Sequence, residues 1–136
     1  MKKAFPILLA FLGLTSLNSS AQSNQSTPKI YSYVEQMPEF VYSDGDLSQY
    51  LSSMLNYPSL AIKNKIEGKV YLRFVVTETG KVSEVEVVKG IGGGCDEEAV
   101  RVISKMPNWK PGRQAGKPVS VYFTLPIVFK LADDKG

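Results

Sequence analysis

Histidine is absent from this sequence and cysteine occurs once, at Cys95. These two facts remove Ser-His-Asp and Cys-His nucleophile systems and His-ligated zinc. They also remove an internal disulfide and any cysteine cluster for a metal. What remains is a short list. Cys95 stands just before Asp96-Glu97-Glu98, at the expected start of a helix, where the helix N-terminus can lower a thiol pKa. It is read either as a reactive or dimer-forming thiol or as a small, half-buried residue at the cap. Glu84 and Glu86 lie two apart on a strand and so share a face. Paired carboxylates can hydrolyse glycosides, but only in a cleft that gives them distinct acid and base roles. One small sheet offers little cleft, so both are expected on a solvated face. Gly90-Ile91-Gly92-Gly93-Gly94 precedes the same helix, as a phosphate cradle would. Its helix opens with three acids rather than with Lys and Ser/Thr, which repels an anion. No catalytic residue, metal or cofactor is expected, and binding is the leading class of function.

The chain length of 136 residues is one domain's worth, and 43% hydrophobic with 21% charged residues is a globular balance. A disordered chain, a collagen and a multi-span membrane protein are excluded. The formal charge of +3 falls to +1 if Lys2 and Lys3 leave with an N-terminal signal, so a nucleic-acid partner is not expected. The charge is unevenly spread. Residues 22–98 carry seven basic and eleven acidic side chains, whereas residues 99–131 carry six basic ones and no acid. One end of the fold, with Lys110, Arg113 and Lys117, could therefore present a positive surface, or these are ordinary solvated side chains.

The first residues have the three-part plan of a secretory signal: basic Lys2 and Lys3, an apolar run from Ala4 to Leu17, and Ser19-Ser20-Ala21 before Gln22. A spanning helix needs roughly 20 apolar residues, and this run is shorter and holds Pro6 and Gly13. Cleavage after Ala21 is expected, leaving a polar leader at 22–30, a folded domain at 31–131 and a tail at 132–136. The alternative is an uncleaved anchor.

The elements follow from periodicity. Asp46 is a plausible N-cap for a helix whose Leu47, Tyr50, Leu51, Met54 and Leu55 form one face. Tyr57-Pro58 ends it, since a residue before proline avoids the helical region, and Pro58 opens a second, short helix through Ile62. Period 2 then sets in. Val70, Leu72, Phe74 and Val76 alternate with polar neighbours. Thr77–Lys81 is a hairpin loop, and Val82–Lys89 returns with Val85 and Val87 inward. A third helix buries Ala99, Val102, Ile103 and Met106 and stops at Pro107. Trp109 anchors the turn Asn108–Pro118. Val121 to Leu131 is the clearest strand. The expected fold is α+β: two to three helices on one face of a three-stranded antiparallel sheet in the order 2-1-3, with both outer strands as edges.

An ordered set of short motifs runs through this frame: Tyr57-Pro58, Glu67-Gly68-Lys69-Val70, Cys95-Asp96-Glu97-Glu98-Ala99, Trp109-Lys110-Pro111-Gly112 and Leu125-Pro126-Ile127. From Val34 to Leu131 the chain resembles the C-terminal domain of the TonB family, in the form found in Bacteroidota. The resemblance implies helices on a three-stranded antiparallel sheet. It also implies binding to the TonB box, a short periplasmic segment of outer-membrane transporters, which adds a strand to the sheet edge in energy-coupled transport. A full TonB has a lasting inner-membrane helix and a long Pro-rich spacer. Here the leader of residues 22–30 reaches only about 30 Å when extended. The expected protein is thus a periplasmic binding module for a TonB-dependent transporter or another envelope protein. The alternatives are an anchored energy transducer and a structural module touching peptidoglycan or lipid phosphates through its positive end.

Pro126 points to the binding edge. It has no N–H, so the side of the strand it faces cannot carry a complete ladder, and proline belongs on edges or bulges. Tyr122, Thr124, Pro126 and Val128 share its parity and, with Ser120, are the expected partner-binding row, open to β-augmentation. Lys110 and Arg113 are added as charged contacts. The alternatives are that Pro126 only guards the edge, or that Tyr31–Val41 folds back over it. A homodimer could form through this edge or through Cys95.

Overall fold

A computed structural model describes residues 29–42 and 46–132. The expected signal at 1–21, most of the expected leader, and residues 43–45 and 133–136 lie outside the described residues. The elements in chain order are β1 (Ile30–Tyr31), α1 (Leu47–Met54), α2 (Ser59–Lys63), β2 (Gly68–Val76), β3 (Val82–Lys89), α3 (Cys95–Ser104), β4 (Gly112–Gln114) and β5 (Lys117–Phe129).

The local signals act as their chemistry dictates. The Asp46 carboxylate accepts from the Gln49 N–H at 2.9 Å and caps α1, satisfying one of the amides a helix start leaves free. At the start of α3 the capping position is Gly94, in the left-handed region at φ 90°. Asp96 instead reaches back to accept from the N–H groups of Ile91 at 2.8 Å and Gly92 at 3.2 Å. The glycine-rich loop is thereby tied to α3 by the carboxylate that would repel a phosphate.

The three long strands take the expected order, β3-β2-β5, all antiparallel to their neighbours. The sheet as a whole corrects the three-stranded reading. It has five strands and is mixed, because β1 lies parallel to β5, pairing Ile30 with Ser120 and Tyr31 with Val121, and β4 pairs with the first residues of β5. Both additions are too short to carry a periodic signal, and Ile30 falls in what the sequence reads as leader. The segment after β1 then runs beside the turn before β5. Gln36 and Arg113 exchange two backbone hydrogen bonds, and so do Glu39 and Lys110.

Val70, Leu72, Phe74 and Val76 of β2 face the helices together with Ile127 and Phe129 of β5, and all six are buried. A fully buried side chain of this kind contributes roughly 1.5–3 kcal/mol. The opposite face is less open than expected, because Val75 is also buried. Strand β3 departs from simple alternation. Its register with β2 shifts twice, and Glu84 sits at φ 50°. Each bulge leaves an extra β3 residue without a direct partner. Val87, opposite the buried Leu72, keeps the expected face but is 37% exposed on this edge strand, and Val88 is exposed.

Trp109 is buried, as an anchor of the turn should be, and its aromatic neighbours come from the sheet and the N-terminal segment. Phe123 lies 4.9 Å away, Phe40 5.4 Å and Phe74 5.7 Å, centroid to centroid.

Candidate functional site

Strand β5 has β2 along one side for its last nine residues, Val121 to Phe129, in a register without a shift. On its other side β1 reaches only Ser120 and Val121. From Tyr122 to Phe129 no strand of the described residues pairs with that side. Among the described residues the uncovered stretch is therefore shorter than expected. Ser120 is corrected out of the open row, because the segment beginning at Ile30 does fold back, far enough to cover it. Tyr122, Thr124, Pro126 and Val128 remain on the uncovered stretch.

Beside this stretch lies a feature that sequence reasoning did not assign. A trough of about 430 Å3 runs between α1 and β5, lined by Asp46, Leu47, Ser48, Leu51, Ser52 and Leu55 on one wall and Leu125 to Val128 on the other. Its size falls in the range of about 300–1,000 Å3 common for binding clefts. Leu47, Leu51 and Leu55 form a stripe at i, i+4, i+8, read from the sequence as core. Only Tyr50 of α1 is fully buried, and those three leucines are half-buried. The available signal was an apolar face wider than one strand pair needs, next to a strand carrying proline.

The upper face of the edge is polar and partly braced. The Arg73 guanidinium stacks over Tyr122 at 4.5 Å and pairs with Glu86 at 2.8 Å, so one row crosses β3, β2 and β5. Both ion-pair partners are about half exposed, and such a pair contributes at most about 1 kcal/mol. Glu86 is thereby committed to Arg73, and the bulge at Glu84 breaks the shared face that a carboxylate pair requires.

Lys110 and Arg113 are not brought to this edge. The Lys110 backbone is held by Glu39, and its Nζ lies 3.9 Å from the Glu39 carboxylate. It borders a separate depression with Gln36, Met37, Glu39 and Pro111. Arg113 donates to the Gly116 carbonyl at 2.6 Å. The positive end is thus partly occupied by the chain's own acceptors.

Cys95 is fully buried, and burial, with Asp96 and Glu97 nearby, pushes its thiol pKa up. A thiol needs both access and thiolate character to react. The dimer-forming reading of Cys95 is corrected, and it is a small core residue.

The walls of the trough are held from α3. Arg101 donates through Nη2 to the Met54 carbonyl at 3.0 Å, and the Glu98 carboxylate accepts from the Asn56 N–H at 2.7 Å. The two side chains pair with each other through two 2.8 Å hydrogen bonds. The Arg101 hydrogen bond, aided by the Asn56 N–H, holds the Glu98 carboxyl below its usual range, although burial acts in the other direction. Among the described residues no helix is long and apolar enough to cross a membrane.

Comparison with known proteins agrees with the motif set. Protein tonB2 of Pseudomonas aeruginosa is 34% identical over 76 residues, which is 55% of this chain and 28% of that protein. The chain thus matches little more than a quarter of that relative's length. The solution structure of the Helicobacter pylori TonB C-terminal domain aligns with 65% of this chain and 92% of its own, at 25% identity and a TM-score of 0.48. That of the Pseudomonas aeruginosa TonB C-terminal domain aligns with 81% of this chain and 100% of its own, at 20% identity and a TM-score of 0.48. The sequence profile of the Gram-negative bacterial TonB protein C-terminal matches residues 53–131, more than half of the chain, and the chain belongs to that family.

Proposed function

We propose that this protein is an exported periplasmic module that recognises an extended peptide of a TonB-dependent outer-membrane transporter, or of another envelope protein. The peptide adds as a strand to β5, and the protein thereby supports or modulates energy-coupled transport across the outer membrane. Family membership supports the partner class, and the signal-like run from Lys2 to Ala21 supports the compartment.

The observation that carries the reading is the stretch Tyr122–Phe129, regular on its β2 side, without a strand of the described residues on the other, and bordered by an apolar trough. Main-chain hydrogen bonds of an added strand give affinity, and pockets for alternate side chains give specificity. The other edge, β3, is shifted in register twice, which is how edges are blunted against pairing. The β2–β5 ladder passes through Pro126, opposite Tyr71, without a shift. This is the behaviour of a proline whose missing N–H lies on the outer side. Tyr122, Thr124, Pro126 and Val128 then supply the outward backbone groups.

The test is Thr124→Pro, which removes a second outward donor. Calorimetric titration with a peptide of the host transporter's periplasmic N-terminal segment should show binding lost while circular dichroism and the thermal midpoint persist. A folded variant with unchanged affinity would mean that the partner does not pair with this edge.

A further inference from the structure

The trough's far wall ends at Leu55, which is the first non-helical residue after α1. A residue at a helix end is normally free to fray, because its backbone groups have few intrahelical partners. Leu55 is not free. The peptide group before it is held through the Met54 carbonyl by Arg101, and the peptide group after it through the Asn56 N–H by Glu98. Glu98 and Arg101 sit one turn apart on α3 and grip each other at 2.8 Å. Neither lines the trough, and neither belongs to β5. A paired carboxylate and guanidinium that spend their remaining capacity on the two peptide groups flanking one leucine are placed to fix where that leucine stands.

The trough itself defines what a fixed Leu55 is for. A strand added to β5 directs alternate side chains to its two faces. One set meets the open face beside Thr124 and Val128, both exposed. The other set enters the trough between Leu125 and Ile127 and the stripe Leu47, Leu51 and Leu55. An apolar side chain gains there only if both walls are in contact distance, because dispersion falls off steeply across a small gap.

Resting on the strand-addition reading above, we propose that Glu98 and Arg101 are positioning residues for the trough. Through Leu55 they set the preference of the site for apolar side chains at every second position of the bound peptide, while leaving backbone pairing with β5 unaffected.

A double-mutant cycle separates this role from a general structural one. The probes are two peptides, Thr-Val-Thr-Val-Thr-Val-Thr and Thr-Ala-Thr-Ala-Thr-Ala-Thr, each with two terminal lysines for solubility. They are titrated into isotope-labelled protein, and the amide shifts of Tyr122–Phe129 are followed. The native protein should bind the valine peptide more tightly. Glu98→Ala should weaken the valine peptide about tenfold and the alanine peptide less than about twofold. Glu98→Gln, which keeps an oxygen for the Asn56 N–H, should restore most of the loss. Arg101→Met removes the donor to Met54 and should repeat the pattern should the alanine variant fail to fold. Equal losses for both peptides, no loss in folded variants, or no valine preference in the native protein would overturn the assignment. Native protein whose edge amides respond to neither peptide would overturn the strand-addition reading, and this inference with it.

Discussion

Trp109 and Gly80 meet backbone to backbone: the Trp109 N–H donates to the Gly80 carbonyl at 2.7 Å. Gly80 sits at φ 87°, and a Cβ there would overlap the Trp109 carbonyl oxygen. The β2–β3 hairpin is thereby fastened to the turn that leads into β4, and the indole is set among Phe40, Phe74 and Phe123.

Two substitutions test this junction by thermal or denaturant unfolding. Gly80→Ala combines a left-handed backbone with a clash against backbone and should cost at least roughly 2 kcal/mol. Trp109→Ala leaves a cavity and should cost roughly 3–5 kcal/mol. The buried Trp109 Nε1 has no hydrogen-bond partner among the described groups. Trp109→Phe should therefore be milder than its loss of volume implies, since it also removes an unsatisfied donor. A Trp109→Ala variant with an unchanged midpoint would contradict the core assignment.

Glu98 ties stability to acid pH. Its carboxyl is held below the ordinary value of 4.5, chiefly by the Arg101 hydrogen bond. A depressed folded-state pKa means that its contribution is fully present above the unfolded value and fades as pH falls through the folded one. The stability difference between native protein and Glu98→Gln should accordingly be constant near neutrality and shrink below about pH 4.5. Parallel stability curves across that range would show that the pair makes no charge-dependent contribution.

Cys95 should behave as a probe of unfolding. Buried and with a raised pKa, it should react with a thiol reagent only as fast as the protein opens, with labelling accelerating in denaturant. Non-reducing electrophoresis of native protein should show no disulfide-linked pair. Rapid stoichiometric labelling of folded protein would refute the burial.

Pro126 protects the edge it marks. Pro126→Thr supplies the missing donor to the stretch Tyr122–Phe129 while suiting a strand. Sedimentation velocity at high concentration should then show more self-association than the native protein does. An unchanged distribution of species would indicate that the proline does not limit pairing at this edge.

Much of the fold was legible because it is local or periodic. Asp46 caps α1 with its own side chain, β2 and β5 alternate every second residue, and a single helical crossover between β3 and β5 leaves β5 to pair with β2. What could not be read is non-local. β1 is two residues long and exists only because β5 offers it a side. The bulges in β3 depend on which residue of β2 each strand residue meets, and no periodicity encodes that.

The candidate site divides in the same way. The absence of histidine and the single cysteine narrowed the sequence reading to binding, and Pro126, which cannot donate, led to the expectation of an edge there. Tertiary structure alone decided the rest. It covered Ser120 with β1, turned Lys110 and Arg113 toward the chain's own acceptors, and spread the α1 leucines between core and trough. The reason is physical: a side chain's type fixes what it can contact, but only packing in three dimensions fixes how much of it is left over once the core is full.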